Sequence, residues 1–78
     1  MKSLLHMGSG KAVVSGRIVC IVSPNSAPIR RMKKDARSNG KLIDATEGKQ
    51  ARAVIVTDSG HVILCSMGPM TLLTRLQE

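Results

Sequence analysis

The side chains of this chain best suited to catalysis or metal binding are two histidines, His6 and His61, and two cysteines, Cys20 and Cys65. A structural zinc site needs paired spacings such as C-x-x-C or H-x-x-x-H, which these four residues lack. Neither histidine stands with a serine, cysteine or carboxylate in a recognisable catalytic pattern. We therefore expect no metal site, no cofactor and no enzymatic activity, and we interpret both histidines as structural.

The run Gly8-Ser9-Gly10-Lys11 is superficially similar to a phosphate-binding loop. A P-loop, however, needs a Gly-x-x-x-x-Gly-Lys frame followed by Ser or Thr, and here Ala12 follows the lysine. This mismatch argues against a nucleotide site, and we expect no small-molecule substrate.

Positive charge is the strongest chemical signal in the sequence. Lysine and arginine number 12 against 5 acidic residues, which gives a formal net charge of +7. This excess favours a polyanionic partner, with a basic but merely soluble surface as the alternative. Phe, Trp and Tyr are all absent, so the base-stacking platforms of single-strand binding proteins cannot form. Double-stranded DNA is therefore the predicted partner.

Cations at two predicted turns are the preferred DNA contacts. Lys49, Gln50 and Arg52 follow Gly48, in a loop that can offer backbone N–H groups to phosphate as well as side chains. Arg17 follows Gly16 at another turn and is predicted to project from the sheet edge. Alternatively, Arg17 is an ordinary exposed residue at the start of a strand, without a role in DNA binding.

A predicted helix over 27–39 carries a second group of cations, which only Asp35 offsets. These side chains are possible additional phosphate contacts, and a solvated helix face is the alternative. The cations are Arg30, Arg31, Lys33, Lys34 and Arg37. The helix is predicted to start at the N-cap Ser26 and to stop at Asn39-Gly40. Its apolar positions Ile29, Met32 and Ala36 form a stripe that should face a sheet.

Apolar runs between turn residues predict the strands. Two short strands at 4–7 and 11–15 form a hairpin, and the β-branched run Ile18–Val22 predicts a strand covered on both faces. Three further strands are predicted at 42–46, 51–57 and 61–66, with both intervening segments interpreted as hairpin loops. A short helix is predicted at 70–76. Cys20 and Cys65 lie in apolar runs and are interpreted as reduced core residues.

These elements predict an α+β fold, in which a small mixed or antiparallel sheet carries one long helix and a short C-terminal helix. At 78 residues the chain is expected to form a single domain, 1–78. The hydrophobic content is 42% without any aromatic residue, so we expect copies of the chain to cover part of its apolar surface. The sequence shows no secretory h-region and no membrane-length apolar run, which predicts a soluble, cytoplasmic protein.

Five segments of the chain carry a family resemblance: IVSPNSAPIRRM (21–32), LIDAT (42–46), RAVI (52–55), DS (58–59) and HVIL (61–64). In their order and spacing they resemble the RemA family of extracellular matrix (biofilm) regulatory DNA-binding proteins. The resemblance extends from Gly8 to about Leu76.

The resemblance implies a homo-oligomeric ring that binds DNA and activates bacterial biofilm matrix genes. It also implies DNA contact by a basic residue before the long strand and by a basic pair in the loop after a glycine. These positions are Arg17, Lys49 and Gln50 here, and the third is glutamine instead of a cation. This departure is expected to lower DNA affinity and to leave the fold intact. A ring would then repeat one basic loop around its rim.

Two other partner classes remain open from the residues alone. The first alternative is an oligomeric scaffold whose basic surface binds acidic protein partners. The second is RNA, which competition between duplex DNA and RNA would distinguish. A cytoplasmic, nucleoid-associated regulator remains the preferred interpretation.

Overall fold

The computed structural model of the chain describes residues 3–8 and 10–77. Met1, Lys2, Ser9 and Glu78 lie outside these ranges, so the tip of the predicted first hairpin at Ser9 is outside them as well. The strands are β1 Leu4–Gly8, β2 Lys11–Val14, β3 Ile18–Val22, β4 Leu42–Asp44, β5 Ala53–Thr57 and β6 Val62–Cys65. The helices are α1 Ala27–Ser38 and α2 Pro69–Gln77, and a 3₁₀ turn covers Ser15–Arg17. The predicted α+β class is confirmed.

Two sheets organise the described strands. β1 and β2 form an antiparallel ribbon, as predicted, and the second sheet has the order β3-β5-β6-β4. In that sheet β4 pairs with β6 in parallel, whereas β3 with β5 and β5 with β6 are antiparallel. The prediction that both segments between the last three strands are hairpin loops is therefore half wrong. Residues 58–60 close a β5–β6 hairpin, but residues 47–50 connect β4 to β5, which are not neighbours.

Local sequence signals define α1 as predicted. The Ser26 hydroxyl accepts a hydrogen bond from the Ile29 backbone N–H at 3.4 Å, and proline occupies the first turn. The helix ends at the C-cap Asn39, and Gly40 then takes a φ of +71°, which a glycine adopts without strain. Ala36 is buried against Val54 and Val62, with Ile29 and Met32 beside it. The predicted apolar stripe is confirmed.

The centre of the protein lies on β5 and β6. Alternate residues of these strands face α1 on one side and the β1–β2 ribbon with α2 on the other. The second side holds the larger core, in which Leu5, Ile55 and Leu72 are fully buried. In the part of the chain that the structure describes, neither helix has the length and apolar character to cross a bilayer.

The prediction that β3 is covered on both faces holds only in part, because Ile21 packs against the larger core and Val22 against the core beneath α1, but both are only half-buried. β3 lies at the edge of its sheet, and Val19 is 65% exposed. The continuous apolar run does mark a strand, but Val19 and the free edge lack cover within one subunit. Both cysteines are free thiols, and Cys65 is buried as predicted. Cys20, on β3, is only half-buried, which corrects its prediction as a core residue.

Candidate nucleic-acid interface

Arg17 is fixed at the junction between the 3₁₀ turn and β3. Its Nε donates to Asp58 Oδ1 at 2.7 Å, and the Asp58 backbone N–H donates to the Arg17 carbonyl at 2.9 Å. The two side chains are 60% and 52% exposed. Arg17 therefore stays accessible to a phosphate while a carboxylate competes for its guanidinium.

Short-range hydrogen bonds stabilise the 46–50 loop, which carries Lys49 and Gln50. Asp44 Oδ1 accepts hydrogen bonds from the Thr46 hydroxyl at 2.6 Å and from the Thr46 backbone N–H at 3.0 Å. The chain then turns through Glu47 and Gly48, whose φ values are 55° and 81°. The Lys49 backbone N–H donates to the Thr46 carbonyl at 3.1 Å. The Lys49 amide is thus engaged within the turn and does not face a phosphate, whereas the Lys49 and Gln50 side chains are exposed.

Lys11 is a cation beside this loop that sequence reasoning did not assign to DNA. Its Nζ lies 2.9 Å from Glu47 Oε1. The contact brings the start of β2 to the 46–50 loop, although the two residues are distant in sequence. No local pattern could reveal this pair, because it depends on how the β1–β2 ribbon packs on the larger sheet.

The hydrogen bonds to Asp44 also perturb its titration. The Thr46 hydroxyl, then the Thr46 backbone N–H and then the positive charge of Arg37 lower the pKa of Asp44, while partial desolvation opposes them. Each of these groups favours the ionised carboxylate. The 46–50 loop should therefore be held most firmly when Asp44 is charged.

Replacing Asp44 with asparagine is expected to reduce the loss of stability in acid. A carboxyl whose pKa falls on folding contributes stability that is fully present above the ordinary Asp value of about 3.9. That contribution disappears as the pH falls through the lower pKa of the folded state. Urea unfolding across this range should show a larger loss for the wild type than for Asp44→Asn. Asp35→Asn is the control for removing one carboxylate, and equal losses in wild type and Asp44→Asn would contradict the prediction.

The predicted contact residues do not form one cluster within a subunit. The Arg52 backbone N–H donates to the Cys65 carbonyl at 2.8 Å, which places it at the start of β5. Arg17 precedes Ile18, which pairs with Thr57 at the other end of β5. The five residue steps of extended chain from Arg52 to Thr57 span about 16 Å. Lys49 and Arg52 therefore lie near one end of β5, and Arg17 lies at the other.

Four cations of α1 do come together. They line an open groove beside β6. The half-buried Leu64 of β6 is the apolar side chain of its lining. The spacing i, i+3, i+4 and i+7 places them along one side of the helix. This α1 groove consists of Arg30, Lys33, Lys34, Arg37 and Leu64. Arg31, also predicted as a possible contact, is exposed but outside the lining of the groove.

His61 takes part in a hydrogen-bond chain that the sequence did not reveal. Its Nδ1 lies 2.7 Å from Ser59 Oγ, which in turn lies 2.9 Å from Thr57 Oγ1. The His61 backbone N–H also donates to Thr57 Oγ1 at 3.2 Å. These bonds tie together the β5–β6 turn, so the structural interpretation of His61 has a physical basis. Among residues 3–8 and 10–77, no three His, Cys, Asp or Glu side chains gather as a metal-ligand set.

A second, mostly apolar groove of about 450 Å³ lies between the β1–β2 ribbon and β4. Val14 and Ile43 on its walls are 53% and 46% exposed. Arg17 and His61 also line this groove. The groove leaves apolar surface uncovered within one subunit, next to one of the predicted DNA contacts.

Comparison with known proteins adds an independent line of information. A family model described as "RemA-like: Extracellular matrix regulatory protein A-like" matches residues 4–76. A protein of Synechococcus sp. (strain JA-2-3B'a(2-13)) is 57% identical over 72 residues, which are 92% of this chain and 81% of that protein. One of Geobacillus thermodenitrificans (strain NG80-2) is 54% identical over 76 residues, or 97% of this chain and 87% of that protein. Both carry the name "Putative regulatory protein".

Proposed function

The chain belongs to the RemA-like family of extracellular matrix regulatory proteins, and on this basis we propose that it is a DNA-binding transcriptional regulator of biofilm matrix genes. It acts as a homo-oligomeric ring in the cytoplasm, associated with the nucleoid, and contacts duplex DNA through repeated basic loops. The observation that carries the proposal is the family match over 4–76, together with exposed cations, Arg17 and Lys49, at two of the three positions that the resemblance assigns to DNA.

Exposed charge supports duplex DNA as the partner. Arg17, Lys49 and Arg52 are all exposed, and the chain as a whole carries a net charge of +7. Gln50, also exposed, adds hydrogen-bonding capacity but no charge. Contacts of this kind fall on phosphates, so sequence preference would come from the ease of bending the duplex more than from base edges.

Uncovered apolar surface supports the ring. β3 and β4 both end their sheet, and Val19 on β3 is exposed, as are Val14 and Ile43 on the apolar groove. A heterologous interface that closes cyclically would cover such surface on every subunit. Cyclic symmetry would also place one copy of each end of β5, with its basic residues, on every subunit around the ring. A duplex that follows the ring then meets Arg17 as well as Lys49 and Arg52, although one subunit holds them apart.

The test is a salt-dependent titration of fluorescent duplex DNA by anisotropy, with native mass spectrometry to count subunits. The contact variant changes Arg17, Lys49 and Arg52 to alanine. The control variant removes equal charge at residues not assigned to DNA, namely Lys2, Lys41 and Arg75. The wild type is expected to bind with a steep salt slope, about −0.9 per neutralised phosphate. Binding at physiological salt should be lost in the contact variant and largely kept in the control variant.

Each other outcome selects a different function. Unchanged binding by the contact variant would move the DNA site to α1. A wild type that forms oligomers but binds no DNA would favour the scaffold for acidic protein partners. Preferential competition by duplex RNA would favour an RNA-binding role. A monomer in native mass spectrometry would refute the ring.

A further inference from the structure

The α1 groove concentrates more positive charge than the loops, and it lies on a different side of the subunit. Arg30, Lys34 and Arg37 are exposed, and Lys33 is half-buried beside them. From the first to the last cation the helix rises by only about 10 Å. Such a density of like charge is unfavourable without a partner, because every pair along one helix side repels.

A second copy of this chain is a poor match for the groove. The full sequence offers only five acidic residues. Glu47 pairs with Lys11, Asp58 pairs with Arg17, and Asp44 accepts two hydrogen bonds from Thr46. Most of the negative charge of a neighbouring subunit is thus already engaged, and the groove calls for a partner that carries many anionic groups.

The lining of the groove favours a phosphate backbone over an acidic protein. Protein interfaces have apolar centres, and Leu64 is the single apolar side chain among the five that line the groove. A row of cations meets the needs of phosphates without apolar contact. The absence of aromatic residues from the sequence removes the stacking that single strands use. A duplex is the partner that fits both facts.

The groove and Arg17 lie on opposite faces of the larger sheet. Leu64 shares its face with Val54, Val62 and α1. Arg17 lines the apolar groove on the other face, where Met7 and Ile63 lie. One straight stretch of duplex can dock on only one of these faces of a given subunit. The two basic surfaces therefore point to two separate duplexes.

We propose that the α1 groove is a second duplex-binding surface, so that an oligomer bound to one duplex through Arg17 and Lys49 captures another through α1. This inference rests on the proposed DNA-binding function and adds DNA bridging to it. Arg30 and Lys34 are its main exposed phosphate contacts, and Arg37 extends the row toward the end of the helix.

A two-duplex capture experiment tests the inference. One duplex is fixed on beads, protein is added, and a second, fluorescent duplex is retained only if it is bridged. The groove variant carries Arg30→Gln and Lys34→Gln, because glutamine matches both residues in helix propensity. The matched control, Lys41→Gln with Arg75→Gln, removes the same charge outside the groove. Anisotropy with a single duplex is measured in parallel for all proteins.

The groove variant is expected to bind the first duplex like the wild type and to lose retention of the second. The loss should reach at least about tenfold, because two phosphate contacts disappear in each subunit that touches the second duplex. The matched control should bridge like the wild type. The contact variant should bind a single duplex through α1 only at low salt, and it should not bridge.

Four results would overturn the inference. Normal bridging by the groove variant would refute the second surface and leave the proposed function standing. Loss of first-duplex binding in the groove variant, with normal binding by the contact variant, would make α1 the primary site. Polyglutamate can be added as a competitor of duplex binding. If the groove variant loses only its binding of polyglutamate and still bridges two duplexes, the groove would be assigned to acidic proteins. A wild type that binds no duplex would refute the inference and the proposed function together.

Discussion

Replacing Leu72 with alanine is expected to lower the free energy of unfolding by about 3–4 kcal/mol. Leu72 is the buried anchor of α2, with 0% exposure, and it packs with Leu5 and Ile55 in the larger core. Truncation removes buried apolar surface and leaves a cavity that these neighbours fill only in part. A chain of 78 residues has roughly 4–12 kcal/mol of stability in total. The variant should therefore lose at least about a quarter of the total stability.

Leu73 provides the matched control, because it is the same residue type in the next position of the same helix and is 38% exposed. Leu73→Ala is expected to cost less than about 1 kcal/mol. Urea denaturation followed by circular dichroism measures both variants, at two protein concentrations. A cost that grows on dilution for Leu73→Ala would place this residue at a subunit interface. Equal stability of the two variants would contradict the assignment of Leu72 as the anchor.

Replacing Asp58 with asparagine is expected to strengthen DNA binding. Asp58 Oδ1 holds Arg17 Nε at 2.7 Å, so a phosphate must now compete with this carboxylate for the guanidinium. The exposed pair is worth about 0.2–1 kcal/mol, and the substitution also removes a negative charge near the duplex. Two or three subunits that touch the same duplex would together raise affinity by roughly tenfold. The gain should shrink at high salt, because both effects are screened.

Asp35→Asn, which makes the same change of charge on α1, separates a local effect from a general one. Anisotropy titrations should show a larger gain for Asp58→Asn than for Asp35→Asn. When Arg17 is already alanine, the gain from Asp58→Asn should fall to that of Asp35→Asn, since only the general effect of charge then remains. Equal gains in both variants would mean that Asp58 acts on DNA binding only through its negative charge and not through its contact with Arg17. Weaker binding by Asp58→Asn would mean that the carboxylate orients Arg17 for DNA and does not compete with it.

The candidate site was predictable residue by residue but not as a surface. Side-chain type and turn signals were enough to select Arg17, Lys49 and Arg52, and the structure leaves all three exposed. Their separation along β5 depends on strand pairing, which no local pattern encodes. The same limit explains why the pairs Arg17–Asp58 and Lys11–Glu47 were missed. Each pair joins residues that are distant in sequence and meet only after the strands assemble.

The sequence by itself determined the local structure of this protein. Ser26 and Gly40 set the ends of α1, the i, i+3, i+7 stripe set its buried face, and β-branched runs set the strands, because these signals act within a few residues. Tertiary structure alone decided that β4 joins β6 in parallel and that β3 lies at an edge. These outcomes depend on the packing of whole elements. An apolar strand looks the same in sequence whether its own subunit or a partner covers it.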